Sequence, residues 1–309
     1  MDKISVIVSC FNEEKALPLF YAEMEKQIKK FENVDFEYIF VNDGSSDNTL
    51  NVMKHLHNDD PKVRYISFSR NFGKEAAMYA GLEASTGNLV TLMDADLQDP
   101  PALLKEMYDA IKNEGYDMVG TRRVTRKGEP PIRSFFANLF YKLINKISQV
   151  EMVDGARDFR LMRRPMVDAI LEVSEYNRFS KGIFAWVGFK TEYLEYKNVE
   201  RVAGKTSWNF WQLFNYSLEG IVNFSEAPLH IAFLGGLLSW MLAFLLVVFI
   251  VVRTLVFGDP TSGWPSLMTV ILFIGGFQLL TIGILGKYIG KVFTETKKRP
   301  VYIIKEKSK

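Results

Sequence analysis

Two stretches near the C-terminus constrain this 309-residue chain more than anything else in it. Leu229 to Val252 reads LHIAFLGGLLSWMLAFLLVVFIVV, 24 residues with no formal charge, and Pro265 to Leu285 is a second such run. A helix of the first length spans about 36 Å, more than the ~30 Å hydrocarbon core of a bilayer. Between the runs, Arg253 to Trp264 is short and holds Gly258-Asp259-Pro260 and Gly263. This pattern predicts a helical hairpin that crosses a membrane twice, at 229–252 and 265–289. Gly235, Gly236, Gly275, Gly276 and Gly283 are small enough to let the two backbones come close. The bland alternative is a hairpin buried in a large soluble core.

Charge is distributed unevenly about the hairpin. Residues 1–228 hold 29 Lys and Arg against 33 Asp and Glu, a net of −4, whereas residues 229–309 hold 9 against 3, a net of +6. The tail carries Lys287, Lys291, Lys297, Lys298, Arg299, Lys305, Lys307 and Lys309, and the connector only Arg253. Basic flanks stay on the cytoplasmic side, so the tail and residues 1–228 are expected in the cytoplasm. The expected division is a catalytic unit at 1–207, an interfacial amphipathic segment at 208–228, the hairpin within 229–293, and a basic tail at 294–309. The tail doubles as a contact for anionic lipid. A whole-chain charge of +2 argues against a nucleic-acid binder, and 48% hydrophobic residues with 24% charged exclude bulk disorder. One cysteine, Cys10, leaves no internal disulfide, and His55, His57 and His230 make no zinc set. Met1-Asp2-Lys3 leads into a strand-like run and not into the apolar core of a secretion signal.

Residues 1–120 alternate in period. Short β-rich runs at Ile4–Ser9, Phe36–Val41, Val63–Phe68, Asn88–Met93 and Tyr116–Gly120 are separated by helical patterns at 16–31, 49–57, 73–84 and 101–113. Asp47 or Ser46 is a plausible N-cap for the second helix. Strands alternating with helices predict an α/β layer fold with a mostly parallel sheet. Ligands of such sheets sit beyond the carboxyl ends of the strands. Three of those ends are polar: Cys10-Phe11-Asn12-Glu13-Glu14, Asn42-Asp43-Gly44-Ser45 and Asp94-Ala95-Asp96-Leu97-Gln98-Asp99. Neither a dinucleotide-type nor a P-loop glycine pattern occurs, which disfavours both nucleotide classes.

Asp94 and Asp96 follow an apolar strand with one residue between them. On an extended segment both carboxylates face the same way, and two such anions repel unless a cation joins them or one is protonated. Oxygen ligands without His or Cys suit Mg²⁺ or Mn²⁺, bridging to the phosphates of a nucleotide. The competing reading is a pair of loop carboxylates that cap the helix at Pro101.

Four runs, VIVSCFNEE (6–14), VNDGSSD (41–47), SRNFGKEAA (69–77) and MDADLQDPP (93–101), resemble the inverting family-2 glycosyltransferases of GT-A fold. Four more, DGARDFRLMRR (154–164), NRFSKGIFAWVGF (177–189), ERVAGKTSW (200–208) and ETKKRPVY (295–302), are similar to their polyprenyl-phosphate branch. That branch holds bactoprenol glucosyltransferases, undecaprenyl-phosphate N-acetylglucosaminyltransferases and, more distantly, dolichol-phosphate mannose synthases. The resemblance implies a GT-A domain that transfers a hexose, with inversion, from UDP-glucose or UDP-N-acetylglucosamine to undecaprenyl phosphate at the bacterial inner membrane. The product would serve cell-surface glycan modification. It further implies that Asp43, Asp94 and the main chain at Cys10 and Asn12 hold the nucleotide sugar. Asp96, with Asp94 and Gln98, would hold Mg²⁺ or Mn²⁺. Asp158 would be the catalytic acid residue, as base or as orienter of the acceptor. Arg122, Arg133, Arg201 and Lys205 would meet phosphate. A homo-oligomer is implied too, a tetramer being one option.

The basic loop Arg122–Lys127, with the apolar stretch Phe135–Ile147, is expected to frame the acceptor at the membrane, or else to be an ordinary loop and core helix. Trp208–Phe224 is expected at the membrane surface, or else against the sheet. A processive polysaccharide synthase is the alternative activity, but its Gln-x-x-Arg-Trp motif is reduced here to Trp186 of Gly182-Ile183-Phe184-Ala185-Trp186. A non-catalytic scaffold is the other alternative, against which the intact aspartates stand.

Overall fold

The computed structural model describes residues 1–124, 145, 153–173, 175–196, 222, 225, 227–257 and 263–308. The elements are β1 (Asp2–Cys10), α1 (Ala16–Ile28), β2 (Val34–Asn42), α2 (Thr49–Asp59), β3 (Val63–Phe68), α3 (Lys74–Ala84), β4 (Leu89–Asp94) and α4 (Leu103–Glu114). They continue with β5 (Met118–Arg123), β6 (Ala156–Arg163), α5 (Arg164–Glu172), α6 (Ser180–Trp186), β7 (Thr191–Tyr196), α7 (Ala227–Phe257), α8 (Trp264–Thr296) and β8 (Ile304–Lys307). The eight strands form one sheet in the order β7-β5-β6-β4-β1-β2-β3-β8. β1 lies parallel to β2 and β4, β2 to β3, and β5 to β7; only β6 and β8 run the other way. The expected α/β fold with a mostly parallel sheet is therefore present.

Strand alternation distributes the core between two faces. Ile4, Val6 and Val8 of β1, with Tyr38 and Phe40 of β2, meet Leu17, Phe20 and Met24 of α1, Met53 of α2 and Leu104, Met107 and Ile111 of α4. Ile7, Ile39 and Val41 point the opposite way, onto Ala76, Ala77 and Ala80 of α3, Met166, Val167 and Ile170 of α5, and α6. Helices cover both faces, which is why the central strands read as continuous apolar runs. The small residues of α3 seat it deeply: a Cβ on Gly81 would lie 2.2 Å from a methyl carbon of Ile7. That seating fixes the first turn of α3 above the strand ends.

Strands β6, β7 and β8 are absent from the sequence reading. β6, ARDFRLMR, carries four charged residues and lacks the apolar signature, yet Arg160 within it is 1% exposed. Its guanidinium stacks 3.8 Å over the Phe184 ring and donates to the carbonyls of Arg157 and Asp158. A charged residue can sit in a core when its donors are satisfied in this way.

The two apolar helices run past the expected spans. α7 has 31 residues and α8 has 33, and both contain segments long and apolar enough to cross a membrane. Of the five glycines expected between them, Gly235 faces the partner helix, where a Cβ would lie 2.4 Å from the Phe277 ring. A Cβ on Gly236, Gly275, Gly276 or Gly283 would meet nothing within 4 Å among the described residues. Beyond α8 the chain turns back. Tyr302 stacks on Phe68 at 4.8 Å, its hydroxyl donates to Glu83 at 2.5 Å, and Glu306 pairs with Lys54 at 2.8 Å. β8 thus covers the open edge of β3, a position that would otherwise invite pairing with another chain.

Candidate active site

The carboxyl ends of β1, β2 and β4 lie side by side, because these strands are parallel and adjacent. Here the three polar loops converge. The loops after β1 and β2 are stapled to each other: Asn12 Oδ1 accepts from the Ser46 amide at 2.9 Å, and the Asn12 amide donates to Ser45 Oγ at 3.0 Å. Asn12 holds this pose at a φ of 59°. Asp47 accepts from the amides of Thr49 at 3.0 Å and Glu14 at 3.2 Å and so joins the two loops; the N-cap of α2 is Asn48, not the expected Asp47 or Ser46, because the helix starts at Thr49. Cys10 is buried, and its carbonyl accepts the Asp43 amide at 2.9 Å. Burial, with Glu13, Asp94 and Asp47 nearby, raises the Cys10 thiol pKa well above its ordinary value, so the thiol is no nucleophile.

Asp43 is 3% exposed and uses both oxygens on the chain, accepting from the amides of Phe72 at 2.6 Å and Gly73 at 2.9 Å. Burial raises its pKa despite these donors. Gly44 next to it has φ +68°, and a Cβ there would lie 2.4 Å from the Arg70 carbonyl carbon. This corner packs the 70–73 segment tightly on the end of β2, and Lys74 follows directly.

Lys74 is the residue that sequence reasoning missed. Its ammonium lies 2.6 Å and 2.8 Å from the two oxygens of Asp94 and 2.6 Å from Asp158 Oδ2. Two carboxylates from different strands, β4 and β6, thus share one cation. Burial alone would raise the pKa of Asp158, but Lys74, Lys181 and Arg160 outweigh it and hold the carboxyl well below the usual range. The adjacent Glu75 is different: burial raises its pKa, while it accepts from the amide and hydroxyl of Ser180. Lys74 lies inside the family-like run SRNFGKEAA (69–77), directly after the glycine that precedes an Ala-rich helix, but the run by itself gives it no role.

β4 ends at Asp94, so Asp96 lies in a turn, not on an extended segment, and strand alternation does not orient it. The turn does so instead. Leu97 takes φ 57°, the Gln98 amide donates to Asp96 Oδ1 at 3.1 Å, and Asp96 is 8% exposed. Asp99 anchors the loop further on, where Oδ1 accepts from Arg157 Nε at 3.0 Å and from the Tyr196 hydroxyl. Arg157 precedes Asp158, so this pair ties the loop of Asp96 to the strand of Asp158. Burial lowers the Arg157 pKa, but the Asp99 charge and hydrogen bond raise it on balance.

Arg122 stands near the carboxyl end of β5, beside Ala156 of β6. It forms a cross-strand ion pair with Glu195, its register partner on β7. Arg133, Arg201 and Lys205 lie outside the described residues, as do 125–127, all of 135–147 except Asn145 and all of 208–224 except Val222.

Among the described residues no group of three or more His, Cys, Asp or Glu forms a ready-made metal cage. A hard divalent cation held by one or two carboxylates and completed by substrate phosphates needs none. Asp94 and Asp96 are the carboxylates that could hold one, and the Lys74 ammonium already pairs with Asp94.

Polar loops gathered over parallel strands, with two aspartates after the fourth, form the candidate site. Residues 5–171 match the model of glycosyl transferase family 2, and the chain belongs to that family. It is a glycosyltransferase with a GT-A-like fold. Similar relatives include a Bacillus subtilis protein named as a glycosyltransferase, 45% identical over 98% of this chain and 91% of the relative. The prophage bactoprenol glucosyl transferase homolog of Escherichia coli is 43% identical over 99% of this chain and all of its own length. The bactoprenol glucosyl transferase of Shigella phage SfX is 44% identical over 99% of both chains. Among solved structures, a mannosyltransferase from Pyrobaculum calidifontis in complex with GDP-Man and Mn²⁺ is similar at 16% identity and a TM-score of 0.49, covering 96% of this chain and 88% of that one.

Proposed function

We propose that the protein transfers a hexose from a nucleoside diphosphate sugar, UDP-glucose or UDP-N-acetylglucosamine, to the phosphate of a polyprenol such as undecaprenyl phosphate. One observation carries the reading: relatives named bactoprenol glucosyl transferases align with this chain almost end to end, across the two long apolar helices as well as the family-2 domain. An oxygen of the lipid phosphate attacks the anomeric carbon, and the nucleoside diphosphate leaves from the opposite face.

A phosphate monoester carries about −1.5 to −2 charge at pH 7 and is already a nucleophile. No base is required, and Asp158, ionised and paired with Lys74, is suited to orient rather than to accept a proton. Bringing two anions together is the harder task, and preorganised charge is its remedy. Lys74 supplies charge at the described site, and Arg122, Arg133, Arg201 and Lys205 are the further candidates. Asp94 and Asp96, with Gln98 beside them, would hold Mg²⁺ or Mn²⁺, which neutralises charge on the leaving diphosphate. The main chain at Cys10 and Asn12, with Asp43, would frame the nucleotide.

The placement at the membrane has its own support. β8 sits in the same sheet as β1 to β7, so the chain before α7 and after α8 belongs to one body. Helices that cross a bilayer between those points must cross an even number of times, as a hairpin does. The basic tail supports the cytoplasmic face of the inner membrane for that body. Incubation of the purified full chain with undecaprenyl phosphate, Mg²⁺ or Mn²⁺ and labelled sugar nucleotides tests the reading. Label in the extracted lipid supports it and identifies the sugar; free sugar alone, or no turnover with any donor, overturns it.

A further inference from the structure

The Lys74 ammonium occupies the place where a cation is needed. It bridges Asp94 and Asp158 at 2.6 Å each, and these carboxylates come from two strands that only the fold brings together. The lysine is held there from behind: Asp43 fixes the amides of Phe72 and Gly73, and Glu75 is fixed by Ser180 on α6. Its side chain is still 38% exposed, so it can leave one carboxylate without breaking the core. An ammonium has three N–H donors and a flexible stem, unlike a metal ion fixed by its ligand cage.

We infer that Lys74 is a resident counter-ion that competes with the divalent cation for Asp94, and so makes metal binding contingent on the nucleotide diphosphate. The inference rests on the proposed function for the diphosphate, but its first arm does not. In the free protein a metal must displace the ammonium from Asp94, leaving it on Asp158 alone. When metal and diphosphate arrive together, the displaced ammonium gains a phosphate oxygen in place of the carboxylate it gave up. Metal and nucleotide then favour each other's binding by the same factor. The geometry adds a consequence for Asp158, which keeps its cation throughout and stays aligned while the donor loads.

The test is Mn²⁺ binding to the full-length protein, read by electron paramagnetic resonance without any sugar donor or lipid. Lys74→Met removes the competing charge, and Mn²⁺ alone is expected to bind about tenfold more tightly. Lys74→Arg keeps the charge and is expected to bind Mn²⁺ as weakly as the wild type or more so. Lys74→Gln, which still hydrogen-bonds both carboxylates, serves in place of the Met variant should that one not fold. Adding UDP, or GDP in a parallel arm, improves Mn²⁺ binding in every protein, because the free nucleotide also carries metal. The improvement is expected to be about tenfold smaller in the neutral variants. Unchanged or weaker binding of Mn²⁺ alone by a folded neutral variant overturns the inference, as does an Arg variant that behaves like the neutral ones. A protein that binds Mn²⁺ as expected yet labels no lipid would sink the acceptor assignment and leave the counter-ion standing.

Discussion

Two ionic clusters, one around a buried acid and one half-buried, sit at opposite ends of the same sheet, and they are built on contrary terms. At the amino end, Glu37 of β2 accepts from Ser5 Oγ at 2.6 Å, from the Thr86 amide at 2.7 Å and from the Thr86 hydroxyl at 2.9 Å. Lys3 and Arg64 stand at 3.1 Å and 3.5 Å. One acid there has two cations and a full set of donors. At the carboxyl end the proportion is reversed, since Asp94 and Asp158 share one ammonium. A carboxylate with more partners than it needs is cement, whereas two carboxylates joined by one partly exposed ammonium can exchange partners.

This contrast can be broken by substitution. The largest effect is expected from Asp158→Asn or Asp94→Asn, which should lower lipid labelling about 10²–10³-fold while leaving the melting temperature in detergent nearly unchanged. Near-wild-type transfer by both would mean that the carboxyl end, too, is only cement. Glu37→Ala is expected to do the opposite, destabilising by about 2–3 kcal/mol. It should leave the specific activity of the folded fraction intact, as thermal denaturation followed by transfer assays would measure.

The same residue sharpens the comparison through pH. Burial alone would raise the Glu37 pKa, but Ser5, Thr86 and Lys3 bring it from 4.5 down to about 2. Its stabilisation is therefore complete above the unfolded pKa of 4.5 and is lost as pH falls toward 2. Melting temperatures recorded between pH 5 and pH 2, about the range this linkage spans, should fall less steeply in Glu37→Gln than in the wild type. Equal slopes would remove Glu37 from the acid sensitivity. The smallest effect is expected for Tyr302→Ala, which loses the Phe68 stack and the Glu83 hydrogen bond, at about 1–2 kcal/mol. Susceptibility of the C-terminus to carboxypeptidase would report it.

Much of this was legible in the chain because the relevant signals are local. Short β-rich apolar runs gave away β1 to β5, and the loops after β1, β2 and β4 were already marked by their polar residues. Strands β6 and β7 carry too much charge to be read as strands, and what makes Arg160 tolerable in the core is Phe184, 24 residues away. The roles of Lys74, Asp99 and Arg157 come from pairings across 20 to 84 residues, which no spacing rule reaches. Reading Asp94 and Asp96 as one extended segment failed for a smaller reason: the strand stops at the first of them, and a left-handed Leu97 takes over.

Strand β8 carries a mechanical consequence. A domain tethered by one flexible linker explores a hemisphere above its anchor; one that receives the chain's last residues back into its own sheet is leashed at both ends. If α7 and α8 cross a bilayer as proposed, they are two leashes that keep the cleft near the lipid headgroups. Encounters with the proposed lipid-borne phosphate would then be a search within a surface, while the sugar donor would arrive from three dimensions.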